Sequence, residues 1–379
     1  MSLTRSAAPP AAGKLTACGT ESAFELISRV RRISPRPRAV ARARAPLRLG
    51  LAGGGTDVSP YADVYGGAVM NVTIDRYIYA SVAQVEGDDV EFESLDLGLS
   101  CRQSAEVPLS YDGRLDLHKA IYNRVMRDFH GGEPLPLRIT TYSEAPAGSG
   151  LGSSSTLVVA VLRALSELLR LPLGEYDIAH LAYTIERKDL GLAGGRQDQF
   201  AASFGGFNFM EFRDEDRVIV NPLRIKREVV TELEAQTILC STGVSRESAA
   251  IIAEQSRNVQ QGVAKPVEAM HRLKAAAIEM KEALLQGDLD SVARTLQAGW
   301  TSKREMAAGI TNHRIEEALG VALDAGATTG KVSGAGGGGF IMFLAPLERR
   351  HAVMRALVAH GFPADSVRFT SEGALAWRA

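Results

Sequence analysis

Apolar and polar positions begin to alternate near Val40. Ala39, Ala41, Ala43, Ala45 and Leu47 fall on one face and Arg42, Arg44 and Arg48 on the other, which predicts a half-exposed strand. It runs into Gly53-Gly54-Gly55-Thr56-Asp57, a loop where the backbone can approach a ligand closely. Two β-branched and aromatic runs, 68–74 and 77–85, flank Asp75-Arg76 and predict a hairpin. Helix is expected over 117–129, strand over 137–142, an apolar helix over 156–171 stopped by Pro172, and another helix over 176–189. Glycines 191, 194 and 195 mark a loop, and Phe204-Gly205-Gly206-Phe207 a turn into a strand. The chain turns polar over 212–216. Beyond it, helical periods run over 246–261, 265–286, 288–308 and 312–325, framed by strands near 235–240, 339–345 and 367–371. Strands and helices mix without regular βαβ alternation, so the fold class is α+β. The expected organisation is an extension over 1–38, an N-terminal domain over 39–213 and a C-terminal domain over 214–379.

Composition narrows the class. Lysine plus arginine (43) nearly balances aspartate plus glutamate (44), which argues against nucleic acid as the main partner. Cys18, Cys101 and Cys240 show no metal or disulfide spacing, and Cys240, closing the apolar run Thr237-Ile238-Leu239, reads as a small core residue. No apolar run is long enough to cross a membrane and no secretory signal is visible, so a cytoplasmic protein is expected. Residues 1–38 are rich in Ala, Pro, Ser and Arg without a sustained period and read as a poorly ordered, solvated tail; Arg29, Arg31, Arg32, Arg36 and Arg38 would otherwise form a basic arm.

Three glycine-rich blocks carry the chemistry. In Pro146-Ala147-Gly148-Ser149-Gly150-Leu151-Gly152-Ser153-Ser154-Ser155, small residues run directly into a helix. Consecutive N–H groups and the positive end of a helix dipole would converge there on an anion, and the hydroxyls can cap the helix, bind phosphate or ligate Mg²⁺. No lysine follows the last glycine, so this is not the common P-loop. Next, Glu186-Arg187-Lys188-Asp189 and Gly194-Gly195-Arg196-Gln197-Asp198-Gln199 offer two carboxylates that phosphoryl transfer can use, although spacing alone equally allows surface charges. Last, Lys331-Val332-Ser333-Gly334-Ala335-Gly336-Gly337-Gly338-Gly339 precedes an apolar strand. Such a glycine run costs conformational entropy, which a close approach to ligand or to a facing loop would offset.

Together Ala45–Asp57, Gly148–Ser155 and Ser333–Gly339 resemble the three motifs of the GHMP kinases, the family of galactokinases and of homoserine, mevalonate and phosphomevalonate kinases. The resemblance covers the chain from about residue 40 to its end. It implies an N-terminal half like ribosomal protein S5 domain 2, a ferredoxin-like C-terminal half and an active site between them. It implies ATP held by Pro146, Gly148–Ser155, Gly336 and Gly337. It implies Mg²⁺ ligated by Ser154 and Glu186, Asp198 as catalytic base, and Arg48 beside it. It also implies acceptor binding by Gly54, Gly55, Thr56, Asp57 and Gly195. Galactokinases carry Glu-His where Gly54-Gly55 stand here, which argues against galactose. The strings Ala45–Tyr61, Ile185–Phe200 and Gly205–Phe209 most resemble the subgroup that phosphorylates the anomeric hydroxyl of D-glycero-D-manno-heptose 7-phosphate, a step toward GDP-heptose. Partners would then be ATP and a sugar phosphate. An unphosphorylated sugar such as L-fucose, or an inactive sugar and ATP sensor, are the rival readings. A distal phosphate would need cations, for which Arg76, Arg246, Lys303 and Arg304 are the candidates.

Overall fold

The computed structural model describes residues 39–379 apart from 215 and 245–247; the readings of 1–38, Cys18 and Arg246 lie outside the described residues. Twelve named strands are β1 (Val40–Ala52), β2 (Gly67–Gln84), β3 (Asp89–Ser94), β4 (Leu99–Ser104), β5 (Leu137–Ser143), β6 (Phe207–Phe212), β7 (Val218–Pro222), β8 (Thr237–Ser241), β9 (Thr329–Val332), β10 (Phe340–Leu344), β11 (Ala364–Ser366) and β12 (Leu375–Arg378). An eight-stranded sheet has the order β12-β1-β2-β5-β3-β4, with β6 also on β2 and β7 on β6; a four-stranded sheet has the order β11-β8-β10-β9. Strands and helices mix as an α+β fold expects.

β1 shows how pattern becomes position. Its odd-numbered residues from Ala41 to Leu51 are sealed in the core. Its even face carries Arg42 to solvent but Arg48 into the interior. The change of burial accompanies a register shift between Pro46 and Arg48, where β1 pairs first with Tyr77 and then with Thr73. Such bulges bend a strand and re-aim its side chains.

Two expectations are corrected here. Residues 68–85 do not form a hairpin; β2 is one continuous strand of 18 residues. Asp75 and Arg76 lack the positive-φ residues of a tight turn. Segment 368–370 satisfies this stretch instead: the Asp75 N–H donates to Arg368 O (2.9 Å) and the Arg368 N–H donates to Asp75 Oδ1 (3.0 Å). That segment makes only an isolated bridge, Ile74 to Phe369, rather than the expected strand. β6 and β7 form a hairpin of the large sheet, which β12 rejoins from the far end of the chain.

The expected helices over 117–129, 156–171, 265–286 and 312–325 are found as Asp116–Phe129, Ser153–Leu169, Ala264–Gln286 and His313–Asp324. The period at 246–261 corresponds to Ser248–Gln260, and that at 288–308 stops early, at Leu289–Lys303. Helix Leu347–Ala359 escapes the pattern because only Val353 and Leu357 are fully buried on it. Helix Ser153–Leu169 packs on β1 and β2, while Leu289–Lys303 packs on β9 and β1, so both halves of the chain meet at β1. Cys240 is buried, and burial pushes its thiol up to about 12, in keeping with a core residue. No helix among the described residues is long and apolar enough to cross a membrane.

Candidate active site

The end of β1, the glycine loop after it, the serine loop and helices from both halves enclose a cleft of about 310 Å³, the size of a small-molecule site. The serine loop forms one wall. Gly152, at φ 83°, is the N-cap of helix Ser153–Leu169, and no side chain caps that end. The first turn therefore presents its N–H groups and the positive end of its dipole to the cleft. Gly148, Ser149, Gly150, Gly152, Ser153, Ser154 and Ser155 all line it. Within the loop the Ser149 and Ser153 hydroxyls are bonded at 2.7 Å.

Glu186 reaches this wall through a local distortion. Helix Glu175–Thr184 passes into a π-helical turn, Ile185–Asp189, and the Leu190 N–H donates to Ile185 O at 3.1 Å. π turns displace side chains from the regular helical stripe and recur at functional sites. The Glu186 carboxylate is buried. Its Oε1 accepts the Ser154 hydroxyl at 2.7 Å and its Oε2 accepts the Gln199 amide at 2.5 Å. Both donors are neutral, and the nearest cation, Arg187, is 3.7 Å away. The two expected metal ligands are thus brought together. Gln199 also donates to Ser155 Oγ (3.0 Å), so the Ser155 hydroxyl faces protein.

Asp198 lies in the first turn of helix Gln197–Phe204 and meets Arg48 across the cleft. Arg48 Nε and Nη2 both contact Asp198 Oδ1 at 2.7 Å, which leaves Oδ2 beside Gly152. Arg48 Nη1 donates to Gly150 O at 2.6 Å, tying the carboxylate to the serine loop through one guanidinium.

The acceptor wall differs from expectation. Gly54 and Gly55 line the cleft, but Thr56 is fully buried, its hydroxyl bonded to Gly53 O (2.8 Å) and Ala68 O (2.9 Å) and accepting from Ala68 N–H (3.1 Å). Thr56 closes the loop and does not line the cleft. Asp57 is corrected in part. It lines the cleft, but its carboxylate accepts from Gly55 N–H, Arg196 N–H, Gln197 N–H and Gln197 Nε2 at 3.0–3.1 Å. Those four donors fill a carboxylate's usual acceptor capacity, so Asp57 acts as a pin that ties the glycine loop to the start of the Asp198 helix. Gly195 has to be glycine for this: a Cβ there would lie 1.9 Å from Asp57 Oδ2.

Four residues expected at ATP lie off the cleft lining. Leu151 is in the core and Pro146 is exposed outside the cleft. Gly336 and Gly337 abut the Ile310–Asn312 segment, Gly337 N–H donating to Ile310 O (2.8 Å) and Asn312 Nδ2 donating to Gly337 O (2.9 Å). The third glycine run meets the facing loop: a Cβ on Gly334 would lie 2.7 Å from Gly150, and the Phe340 N–H donates to Ser149 O at 3.0 Å. Its role is to support the serine loop from behind.

Sequence reasoning missed several cleft residues. Lys331, Arg187 and Gln197 sit inside the quoted motifs and line the cleft, while Gln199 is buried behind it against Glu186 and Ser155. Lys303, a candidate for a distal phosphate from the sequence, lines the cleft itself. Of the other candidate cations, Arg76 pairs with Asp365 (2.5 Å) and Arg304 with Glu316 (3.2 Å), both outside the cleft.

Comparison with known proteins shows the family. Residues 116–206 match the GHMP kinases N terminal domain and residues 280–363 the GHMP kinases C terminal domain. The D-glycero-alpha-D-manno-heptose 7-phosphate kinase of Campylobacter jejuni is 47% identical over 337 residues, covering 89% of this chain and 98% of that protein. A crystal structure described as a D-glycero-D-manno-heptose 1-phosphate kinase, from Bacteroides thetaiotaomicron, is 45% identical, with a TM-score of 0.76 over 89% of this chain and 99% of that one. Lactococcus lactis galactokinase shares the fold alone, at 20% identity and TM-score 0.70.

Proposed function

The chain belongs to the GHMP kinases, and from that membership we propose that it transfers the γ-phosphate of ATP to the anomeric hydroxyl of D-glycero-D-manno-heptose 7-phosphate. The observation that carries the acceptor is the 47% identity, over nearly the whole length of both chains, to the Campylobacter jejuni heptose 7-phosphate kinase. Gly54 and Gly55 support it by standing where galactokinases carry Glu-His: a Cβ on Gly55 would lie 2.6 Å from Met306 Cε, so a histidine there would have to displace that methionine.

In this reading the ATP phosphates lie against Gly148–Ser155 at the uncapped start of helix Ser153–Leu169. Ser154 and Glu186 fit a hard cation: two oxygens 2.7 Å apart, one of them a buried carboxylate held by neutral donors. Mg²⁺ bound there would supply charge neutralisation to the phosphates, with phosphate and water oxygens completing its shell. Asp198 accepts the proton of the attacking hydroxyl or orients it, through the oxygen that Arg48 leaves free. Arg48 keeps that carboxylate aimed.

The testing experiment incubates the protein with Mg·ATP and, separately, D-glycero-D-manno-heptose 7-phosphate, the corresponding 1-phosphate, free heptose, L-fucose and mevalonate. ³¹P NMR then locates the new phosphate. Preferred turnover of the 7-phosphate to a 1,7-bisphosphate is expected. Preference for the 1-phosphate or for a free sugar overturns the acceptor assignment, and no phosphorylation of any acceptor, with ATP bound, favours a sensor.

A further inference from the structure

Four cations among the described residues line the cleft, and one of them, Arg187, lies 3.7 Å from Glu186. Arg48 is paired with Asp198, but the two lysines are not so served. Lys303, the last residue of helix Leu289–Lys303, donates to Gly334 O at 2.5 Å. Lys331, in β9, donates to Gly50 O (2.8 Å) and Leu51 O (3.3 Å). Both are buried, and among the described residues their hydrogen-bond partners are these backbone carbonyls. Burial and the neighbouring guanidinium of Arg48 push the Lys303 ammonium down to about 8, and burial with Lys303 and Arg48 holds Lys331 well below the usual lysine range. Like charges collected away from water raise the energy of the ligand-free site, and an entering anion relieves it.

The position of Lys303 says which anion. A Cβ on Gly54 would lie 3.7 Å from Lys303 Nζ, so the ammonium faces the acceptor loop. Its bonded partner, Gly334, abuts Gly150 of the serine loop. Nζ therefore lies between the acceptor wall and the phosphate wall, where a phosphoryl group passes from one to the other. The charged groups around it are Arg48 from β1, Asp57 from the glycine loop, Asp198 from helix Gln197–Phe204 and Lys331 from β9.

We propose that Lys303 is a further catalytic residue, whose ammonium leaves Gly334 O to contact the transferring phosphoryl group. The role rests on the kinase reading above. In the step, the bond from acceptor oxygen to phosphorus forms and the bond from the γ-phosphorus to the bridging oxygen breaks. Its electron pair leaves with ADP and the hydroxyl proton passes to Asp198, while Lys303 keeps its protons and stabilises charge on the equatorial oxygens. Helix Leu289–Lys303 thereby brings a residue of the second half of the chain to the reacting atoms.

The test measures binding of ADP and of ADP with fluoroaluminate, a mimic of the phosphoryl group in flight, by calorimetry with Mg²⁺. Because the mimic needs no acceptor, failure of the heptose assignment leaves this experiment readable. Wild type is expected to bind the mimic complex more tightly than ADP. Lys303→Met should lose that advantage by about 10²-fold, the worth of one transition-state donor, with ADP affinity unchanged, and Lys303→Arg should retain most of it. Lys303→Gln serves if the Met variant does not fold. Turnover should also fall as pH rises through about 8, where Lys303 loses its proton. Lys303→Arg, charged throughout, should move that limb upward. A Met or Gln variant that keeps the mimic's advantage overturns the proposal, as does a wild type that has none. Loss of turnover confined to phosphorylated acceptors would instead assign Lys303 to a distal phosphate.

Discussion

The cleft holds two carboxylates that differ in how they are held. Glu186 is 1% exposed and is gripped by a hydroxyl and an amide, donors that carry no charge. The Asp198 side chain is 21% exposed and is gripped by a guanidinium. The Glu186 carboxylate, hydrogen-bonded to neutral donors with one guanidinium 3.7 Å away, is the better placed of the two to receive a cation. The Asp198 carboxylate, held by arginine at 2.7 Å, is fixed in direction and has less to offer a metal. On the proposed reading the two ends of the cleft do different work, cation binding at Glu186 and hydroxyl activation at Asp198.

Removing the charge at Asp198 should cost most. Asp198→Asn is expected to lower turnover by about 10²–10⁴-fold, the usual worth of a positioned general base, with ATP affinity retained; steady-state kinetics and nucleotide calorimetry check this. Arg48→Ala should also slow turnover. The double variant should fall little below the worse single one, because the two groups act as one unit. Full additivity would separate them.

At the other end the effect is smaller and conditional. Glu186→Gln and Ser154→Ala each take an oxygen from a hard cation and should weaken its apparent affinity by about 10–100-fold, comparable to losses seen when groups around a metal site are altered. The measurement is turnover at rising Mg²⁺. A variant indistinguishable from wild type at low Mg²⁺ would move the metal elsewhere.

The smallest effect on activity belongs to Thr56. Thr56→Val strips the hydroxyl that joins Gly53, Ala68 O and Ala68 N–H. It should cost about 1–3 kcal/mol of stability, the price of buried unsatisfied groups, as read by denaturant unfolding. Acceptor KM should stay near that of wild type at a temperature where the variant is folded. A raised KM with unchanged stability would return Thr56 to the acceptor site.

Much of this was legible from local pattern. The glycine-serine block running into an apolar helix marked the phosphate wall, and the alternation of β1 marked its buried face. The pattern could not separate Arg44 from Arg48. They share one face of β1, yet Arg44 meets Glu372 at the surface (3.0 Å), where such pairs are worth little, and Arg48 is sealed against Asp198. What divides them is the register shift after Pro46, set by pairing with β2 and by segment 368–370, both distant in sequence. Glu186 was legible as a helical carboxylate, but its π turn depends on tertiary contacts. The lysines were hidden for the same reason: Lys303 ends a helix whose packing on β1 and β9 no local period encodes. Asp57 was recognised, but its four donors come largely from residues about 140 positions away, and they turn an expected acceptor ligand into a pin.

The most direct test of the division between the two carboxylates is a Mg²⁺ titration of turnover for wild type, Glu186→Gln and Asp198→Asn at saturating ATP and acceptor. The account predicts that the Glu186→Gln curve shifts to higher Mg²⁺ and recovers much of its rate there, whereas Asp198→Asn keeps the wild-type midpoint at a rate depressed at every concentration. A shifted midpoint for Asp198→Asn with recovery at high Mg²⁺, or a depressed rate with an unshifted midpoint for Glu186→Gln, would contradict it.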